Sequence, residues 1–273
     1  MMKTFKNIKV ETPSGLVLDC AEQGDPKAPA VLLVHGYSDS WRAYGPLLAD
    51  LSSAHRVIAV TLRGHGDSDK PETGYSIDDF AGDVAAVMDR SGVASAAVVG
   101  HSMGSMVAAR LALDHPDRVQ ALVLIGALAT LKGNAEVEEE LAGAVEALTD
   151  PVDAGFVREF QESTLARPAA PAFLDSVIAE SRKLPVSVWR TALRAMLDDD
   201  LGPDLNRIAA PTLILWGDKD GICDRDSQTR LAGAIPGARL SVLAGAGHAP
   251  HWEDPQGIAA AIASFLGAVR AAA

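Results

Sequence analysis

Covalent cleavage of an ester or amide needs three kinds of side chain: a nucleophile, a base that takes its proton, and a carboxylate that orients the base. The chain offers one of each at suggestive places. Ser102 lies in Gly100-His101-Ser102-Met103-Gly104, a match to G-x-S-x-G. The pattern alone is weak, because about 0.1 such matches are expected by chance in a chain of this length at average residue usage. Its setting says more. The apolar run Ala96–Val99 precedes it and a helical pattern, Ser102–Leu113, follows, which is the strand–turn–helix context a nucleophile elbow requires. The small neighbours Gly100 and Gly104 let strand and helix approach closely. The turn also sets the serine at a helix N-terminus, where the dipole favours negative charge.

Seven histidines could supply the base. His248 is preferred: it follows the strand-like Arg239–Leu243 in a loop of small residues, Ala244-Gly245-Ala246-Gly247, that is free to aim the ring. His251 is the competitor. His55, His65, His101 and His115 read as structural or surface residues. For the acid, the apolar run Leu213-Ile214-Leu215-Trp216 is followed by Gly217-Asp218-Lys219-Asp220. Asp218 comes early in the turn, where an aspartate commonly bonds its own backbone; Asp220 lies deeper and is preferred, with Asp224 and Asp226 as further alternatives. Acyl transfer also needs donors for the developing oxyanion. The backbone N–H of Met103 is one, and that of Tyr37, in Val34-His35-Gly36-Tyr37-Ser38, is the other. His35 itself reads as a buried residue that hydrogen-bonds nearby backbone.

Each of these residues comes just after a strand-like run, so the elements between them must build a sheet with one shared edge. Phe5–Val10 and Leu16–Cys20 read as a hairpin. Ala30–Val34 reads as a buried strand, and Arg56–Val60, Ala96–Val99, Val119–Ile125, Thr212–Trp216 and Arg239–Leu243 read as strands. Helical patterns separate them: Gly45–Leu51, Ile77–Asp89 (started by Ser76 with Asp79 three residues on, an acidic relative of the capping box), Ser102–Leu113, Ser227–Ala234 and Gln256–Val269. Such alternation implies a mostly parallel sheet with helices on both faces, and ligands of such sheets bind at the carboxyl edge. The rhythm breaks between Ala129 and Ala210. There four helices are expected, Glu136–Leu148, Val152–Thr164, Ala172–Leu184 and Val186–Leu197, punctuated by prolines.

The chain has 273 residues, 48% of them hydrophobic and only 5% aromatic, which suits an aliphatic core of doubly buried strands. A net charge of -12 repels phosphate backbones and anionic lipid, so neither nucleic acid nor a membrane is expected as a partner. Cys20 and Cys223 read as reduced, incidental thiols of a cytoplasmic protein. No signal peptide is recognised in Met1–Val10. No His, Cys and carboxylate cluster has metal-ligand spacing, and no cofactor is implied.

Taken together, His35-Gly36, Arg63-Gly64-His65-Gly66-Asp67-Ser68, Gly100–Gly104, Trp216–Asp220 and Gly247-His248 resemble the α/β-hydrolase superfamily, in family order and over nearly the whole chain. The resemblance implies an α/β fold: an eight-stranded, mostly parallel sheet with helices on both faces and a helical cap inserted after the sixth strand. Residues 1–128 and 211–273 would form the core, and 129–210 the cap. The order Ser102, Asp220, His248 is that superfamily's Ser…Asp…His order. Serine at position 102 argues against haloalkane dehalogenases and epoxide hydrolases, which use aspartate there. Gly126-Ala127 leaves no acid after the sixth strand.

The expected activity is therefore that of a serine hydrolase, a carboxylesterase or lactonase acting on a small, mostly hydrophobic ester or lactone, as monomer or homodimer. Phe156, Phe160 and Trp189 of the cap are candidate substrate contacts. Arg158, Arg167, Arg182, Lys183, Arg190 and Arg194 could bind a substrate carboxylate, though solvated helix faces account for them equally. C–C bond hydrolysis, cofactor-free perhydrolase or haloperoxidase chemistry on the same triad, and a ligand receptor on this fold are the alternatives.

Overall fold

The computed structural model describes residues 5–272. Eight strands form one sheet: β1 (Lys6–Glu11), β2 (Val17–Gln23), β3 (Ala30–Val34), β4 (Arg56–Val60), β5 (Ala96–His101), β6 (Val119–Ile125), β7 (Thr212–Gly217) and β8 (Arg239–Leu243). Their spatial order is β1-β2-β4-β3-β5-β6-β7-β8. β1 and β2 pair antiparallel, as does β2 with β4; every later pairing is parallel. The expected fold class holds.

The central strands are aliphatic on both faces, and alternate residues feed two cores. Leu32, Ile58, Val98 and Leu122 point to one side, where they meet α2 (Ile77–Arg90) and α3 (Met103–Asp114). Val31, Val57, Val99 and Val123 point to the other, against α1 (Gly45–Leu51) and α10 (Pro255–Ala272). Burying both faces removes the polar–apolar alternation of a one-sided sheet, which is why these strands read as continuous apolar runs. The acidic capping box is present: Ser76 Oγ accepts from the Asp79 amide at 3.1 Å, and Asp79 Oδ2 accepts from the Ser76 amide at 3.0 Å.

Between β6 and β7 the chain is helical: α4 (Ala142–Glu146), α5 (Ala154–Ser163), α6 (Pro171–Ser181) and α7 (Val186–Asp198). The single helix expected over Glu136–Leu148 is divided. Residues Glu136–Leu141 form a wider π turn, closed by a bond from the Ala142 amide to the Val137 carbonyl, and α4 follows. The wide turn absorbs an extra residue, and Val137 and Val145 both end buried. Periodicity at 3.6 residues does not foresee such a turn. After β7 come α8 (Arg225–Ala234) and, just past His248, a short α9 (Pro250–Glu253) that was not expected. No helix among the described residues is long and apolar enough to cross a membrane.

Candidate active site

Ser102 sits at φ 51°, ψ −121°, a left-handed backbone that a β-carbon disfavours and that marks stored strain. The surroundings enforce it. The Ser102 amide donates to the Ile125 carbonyl of the neighbouring strand at 3.0 Å. A Cβ on Gly100 would collide with the Gly104 carbonyl, and one on Gly104 with the carbonyls of Val34 and His35. Both glycines are thus required by close backbone packing. Ser105 Oγ ties the elbow down, donating to the Ser102 carbonyl at 2.6 Å and accepting from the Leu128 amide at 2.9 Å.

His248 Nδ1 lies 2.9 Å from Asp220 Oδ2. The other Asp220 oxygen accepts from the amides of Ile222 (2.8 Å) and Cys223 (2.9 Å), so the carboxylate is fixed from both sides. A carboxylate on Nδ1 holds the ring proton there and leaves Nε2 as the acceptor. That nitrogen is buried with no hydrogen-bond partner, and His248 and Ser102 line the same cavity. The alternatives are otherwise engaged. Asp218 Oδ1 accepts from the Gly245 amide at 2.6 Å and braces the histidine loop. Asp224 caps α8 through the Ser227 amide, and Asp226 lies in that helix's first turn. His251 is buried behind the site with its ring 4.4 Å from that of His101.

The helical segment reaches into the same place. The Thr164 carbonyl accepts from the amides of His248 (2.9 Å) and Ala249 (3.2 Å), so the segment between β6 and β7 helps fix the loop that carries the histidine. Phe160 lines the cavity with Leu193 and Met196. Phe156 and Trp189 do not: Trp189 stands behind, its ring 5.2 Å from Tyr37, 5.6 Å from Phe156 and 5.5 Å from Phe160. Tyr37 lines the cavity, and its hydroxyl donates to the Trp189 carbonyl at 2.6 Å. Met103 is fully buried at the start of α3, where helix amides lack internal partners. His35 behaves as expected. Its Nε2 accepts from the Leu62 amide at 3.0 Å, so its Nδ1 donates to the Gly36 carbonyl at 2.7 Å, and burial holds its pKa well below the usual value.

Four polar residues at the site carried no signal in the sequence. Asp39, Gln161 and His101 line the cavity and are buried. Gln161 Nε2 lies 3.1 Å from Asp39 Oδ1, 3.1 Å from Ser38 Oγ and 2.8 Å from Ser181 Oγ. Burial raises the Asp39 pKa from 3.8 to about 7, against the smaller opposing pull of the Gln161 amide and the Gly36 backbone. The fourth is Cys223, read as incidental, whose sulfur lies 3.9 Å from His248 Nδ1. Asp220, Cys223 and His248 hold donor atoms within 4.8 Å of one another, a grouping compatible with a soft metal ion. Two of those atoms already form the His–Asp bond, and burial with nearby carboxylates pushes the thiol pKa well above 9.0, which keeps it a poor ligand.

The cavity itself is small, about 40 Å³, room for one or two waters. It shares Leu128, Leu131 and Ile222 with an outer cleft of about 650 Å³. Most cationic side chains of the helical segment are engaged elsewhere: Arg158 with Glu162 and Asp175, Lys183 with Asp67 and Glu180, Arg190 and Arg194 with Glu146, and Arg167 with the Ala244 carbonyl, while Arg182 is exposed.

A family model for the alpha/beta hydrolase fold matches residues 29–255. The chain belongs to the α/β-hydrolase family. Among curated proteins, this α/β hydrolase is 29% identical over 265 residues to a 2-(acetamidomethylene)succinate hydrolase of Mesorhizobium japonicum, covering 93% of this chain and 92% of that one. It is also 29% identical to a pimeloyl-[acyl-carrier protein] methyl ester esterase of Neisseria meningitidis, over 86% of this chain and 76% of the other. Among solved structures, the esterase RhEst1 from Rhodococcus sp. superposes with a TM-score of 0.83 at 26% identity, over 96% of this chain and 99% of that one.

Proposed function

We propose that the α/β hydrolase cleaves small, mostly hydrophobic carboxylic esters or lactones through an acyl-enzyme. The carrying observation is the pairing of His248 Nδ1 with Asp220 at 2.9 Å while its buried, unpartnered Nε2 and the strained Ser102 line one cavity. In this reading Ser102 Oγ attacks the carbonyl carbon as His248 Nε2 takes its proton. Asp220 holds the tautomer and stabilises the imidazolium. The amides of Tyr37 and Met103 receive the oxyanion. His248 returns the proton to the leaving alcohol, then activates a water that releases the acid.

The inner lining argues for an apolar group beside Ser102, while Lys132 and Arg230 stand in the outer cleft. Leu128, Leu131, Phe160, Leu193 and Met196 dominate the inner lining, and among the described residues it holds no lysine or arginine. A drug-sized ligand needs a cavity of roughly 300 Å³ or more, so residues 129–210 act as a cap that opens towards the outer cleft.

A panel of p-nitrophenyl esters with short to medium acyl chains, assayed with wild type and Ser102→Ala, tests this. Turnover of short esters that vanishes in Ser102→Ala supports the mechanism. A folded but inert wild type overturns it.

A further inference from the structure

One buried acid on the Ser102 cavity takes no part in the proposed bond cleavage. Asp39 sits two residues beyond Tyr37, 1% exposed, on the wall of the Ser102 cavity. Its Oδ1 is held by the Gln161 amide. Its Oδ2 faces His101 Nδ1 at 3.9 Å. His101 contributes an independent observation. Its Nε2 lies 3.1 Å from the His248 carbonyl, which can only accept, so the ring proton is on Nε2 and Nδ1 is left an acceptor. That Nδ1 is buried with no hydrogen-bond partner. A Cβ on Gly36 would lie 2.7 Å from it and 3.1 Å from Asp39 Oδ2; the chain keeps glycine where these two atoms approach each other.

An ionised Asp39 would set a carboxylate against a lone pair in a buried site, with both groups acceptors. A single proton on Oδ2 turns that repulsion into a bond, completed by a movement of about 1 Å. We propose that Asp39 is a positioning residue of the active site: as a neutral acid it donates to His101 Nδ1, so that His101 Nε2–H holds the backbone carbonyl of the base His248. The chain Asp39–His101–His248 braces the base from its main-chain side, while Asp220 braces it from its ring.

The groups around Asp39 favour this state. Tyr44, from the turn before α1, is near but commits its hydroxyl to the Val34 carbonyl. His101 is held neutral by burial and by its neighbours His251 and His248. Gln161 and Ser181, from the helical segment, are uncharged. Among the described residues no lysine or arginine pairs with Asp39. Desolvation accordingly raises its pKa to about 7. Loss of the proton to solvent leaves a negative charge two residues from the proposed oxyanion donor Tyr37, which opposes the charge that forms there. Activity should therefore fall as pH rises through the Asp39 pKa.

The inference rests on His248 being the base, and the test separates the two. In infrared spectra of the wild type, a carboxylic-acid C=O band should titrate away near neutral pH and be missing from Asp39→Asn; this needs no turnover. Asparagine keeps a donor for His101 and removes the titration. In ester hydrolysis, Asp39→Asn should lose the alkaline fall in kcat/KM that the wild type shows, whereas Asp39→Ala should fall at least tenfold below wild type at pH values under the Asp39 pKa. The downfield proton resonance of the His248–Asp220 bond should persist in Asp39→Asn and broaden in Asp39→Ala. No titrating band, or an unchanged alkaline fall in Asp39→Asn, overturns the proposal. If no ester is turned over while the band titrates and the resonance responds as described, the esterase reading fails and the brace stands.

Discussion

The cavity has two walls of different make. One is built from the carboxyl ends of β5, β7 and β8 and carries Ser102, Asp220 and His248. Its polar atoms are bound to short loops, and its carboxylate has a histidine and two amides as partners. The other is built from the loop after β3 and the helices between β6 and β7. It is apolar apart from Asp39, Gln161 and Thr164, and its carboxyl group has an amide donor but no cation. Two buried aspartates about one cavity thus differ by their partners. The first wall fits the proposed bond cleavage, and the second the proposed choice of substrate and hold on a proton.

The largest effects should fall on the first wall. Ser102→Ala should lower kcat by about 10⁴-fold or more with little change in KM, read in steady-state ester hydrolysis. A comparable loss at Asp39 would erase the distinction between the walls. Asp220→Asn should keep the cavity and lose about 10³- to 10⁴-fold in kcat, because an amide no longer fixes the Nδ1–H tautomer.

The second wall should respond in stability and selectivity. The folded Asp39 pKa of about 7 is raised above its free value of 3.8. Its contribution to stability is therefore fully present below that free value and is lost as pH rises through about 7. Thermal midpoints of wild type, measured against Asp39→Asn over this range, should fall relative to the variant as pH increases. Parallel curves would contradict it. Phe160→Ala should widen the cavity and move preference towards longer acyl chains, by about tenfold in the ratio of kcat/KM values. The smallest effect is expected at Cys223. Cys223→Ala should cost about 1 kcal/mol by denaturant titration and change kcat by less than about threefold, since the Asp220–His248 bond does not pass through the sulfur.

Legibility in the sequence followed the same division. Ser102 stands out because a nucleophile elbow needs small residues at fixed offsets, and packing against the Val34 and His35 carbonyls supplies the physical demand. Asp220 stands out because it follows a fully buried aliphatic strand, and His248 because it follows the last strand in a loop of small residues. The strand pattern itself is visible because doubly buried strands are continuous apolar runs. Asp39 and Gln161 leave no such trace. They are 122 residues apart, and nothing local to either predicts the other. The π turn over Glu136–Leu141 is equally hidden, because its composition is that of an ordinary helix.

The sequence by itself therefore determined the fold class, the order of the main elements and Ser102 as the candidate nucleophile, with His248 and Asp220 preferred among alternatives. These rest on local rules of backbone geometry and on the periodicity of burial. Only the tertiary structure decided which aspartate pairs with His248, which aromatic residue reaches the cavity, and that Asp39 and His101 share a buried space. Those outcomes depend on distances between segments far apart in the chain, which no local pattern of residues encodes.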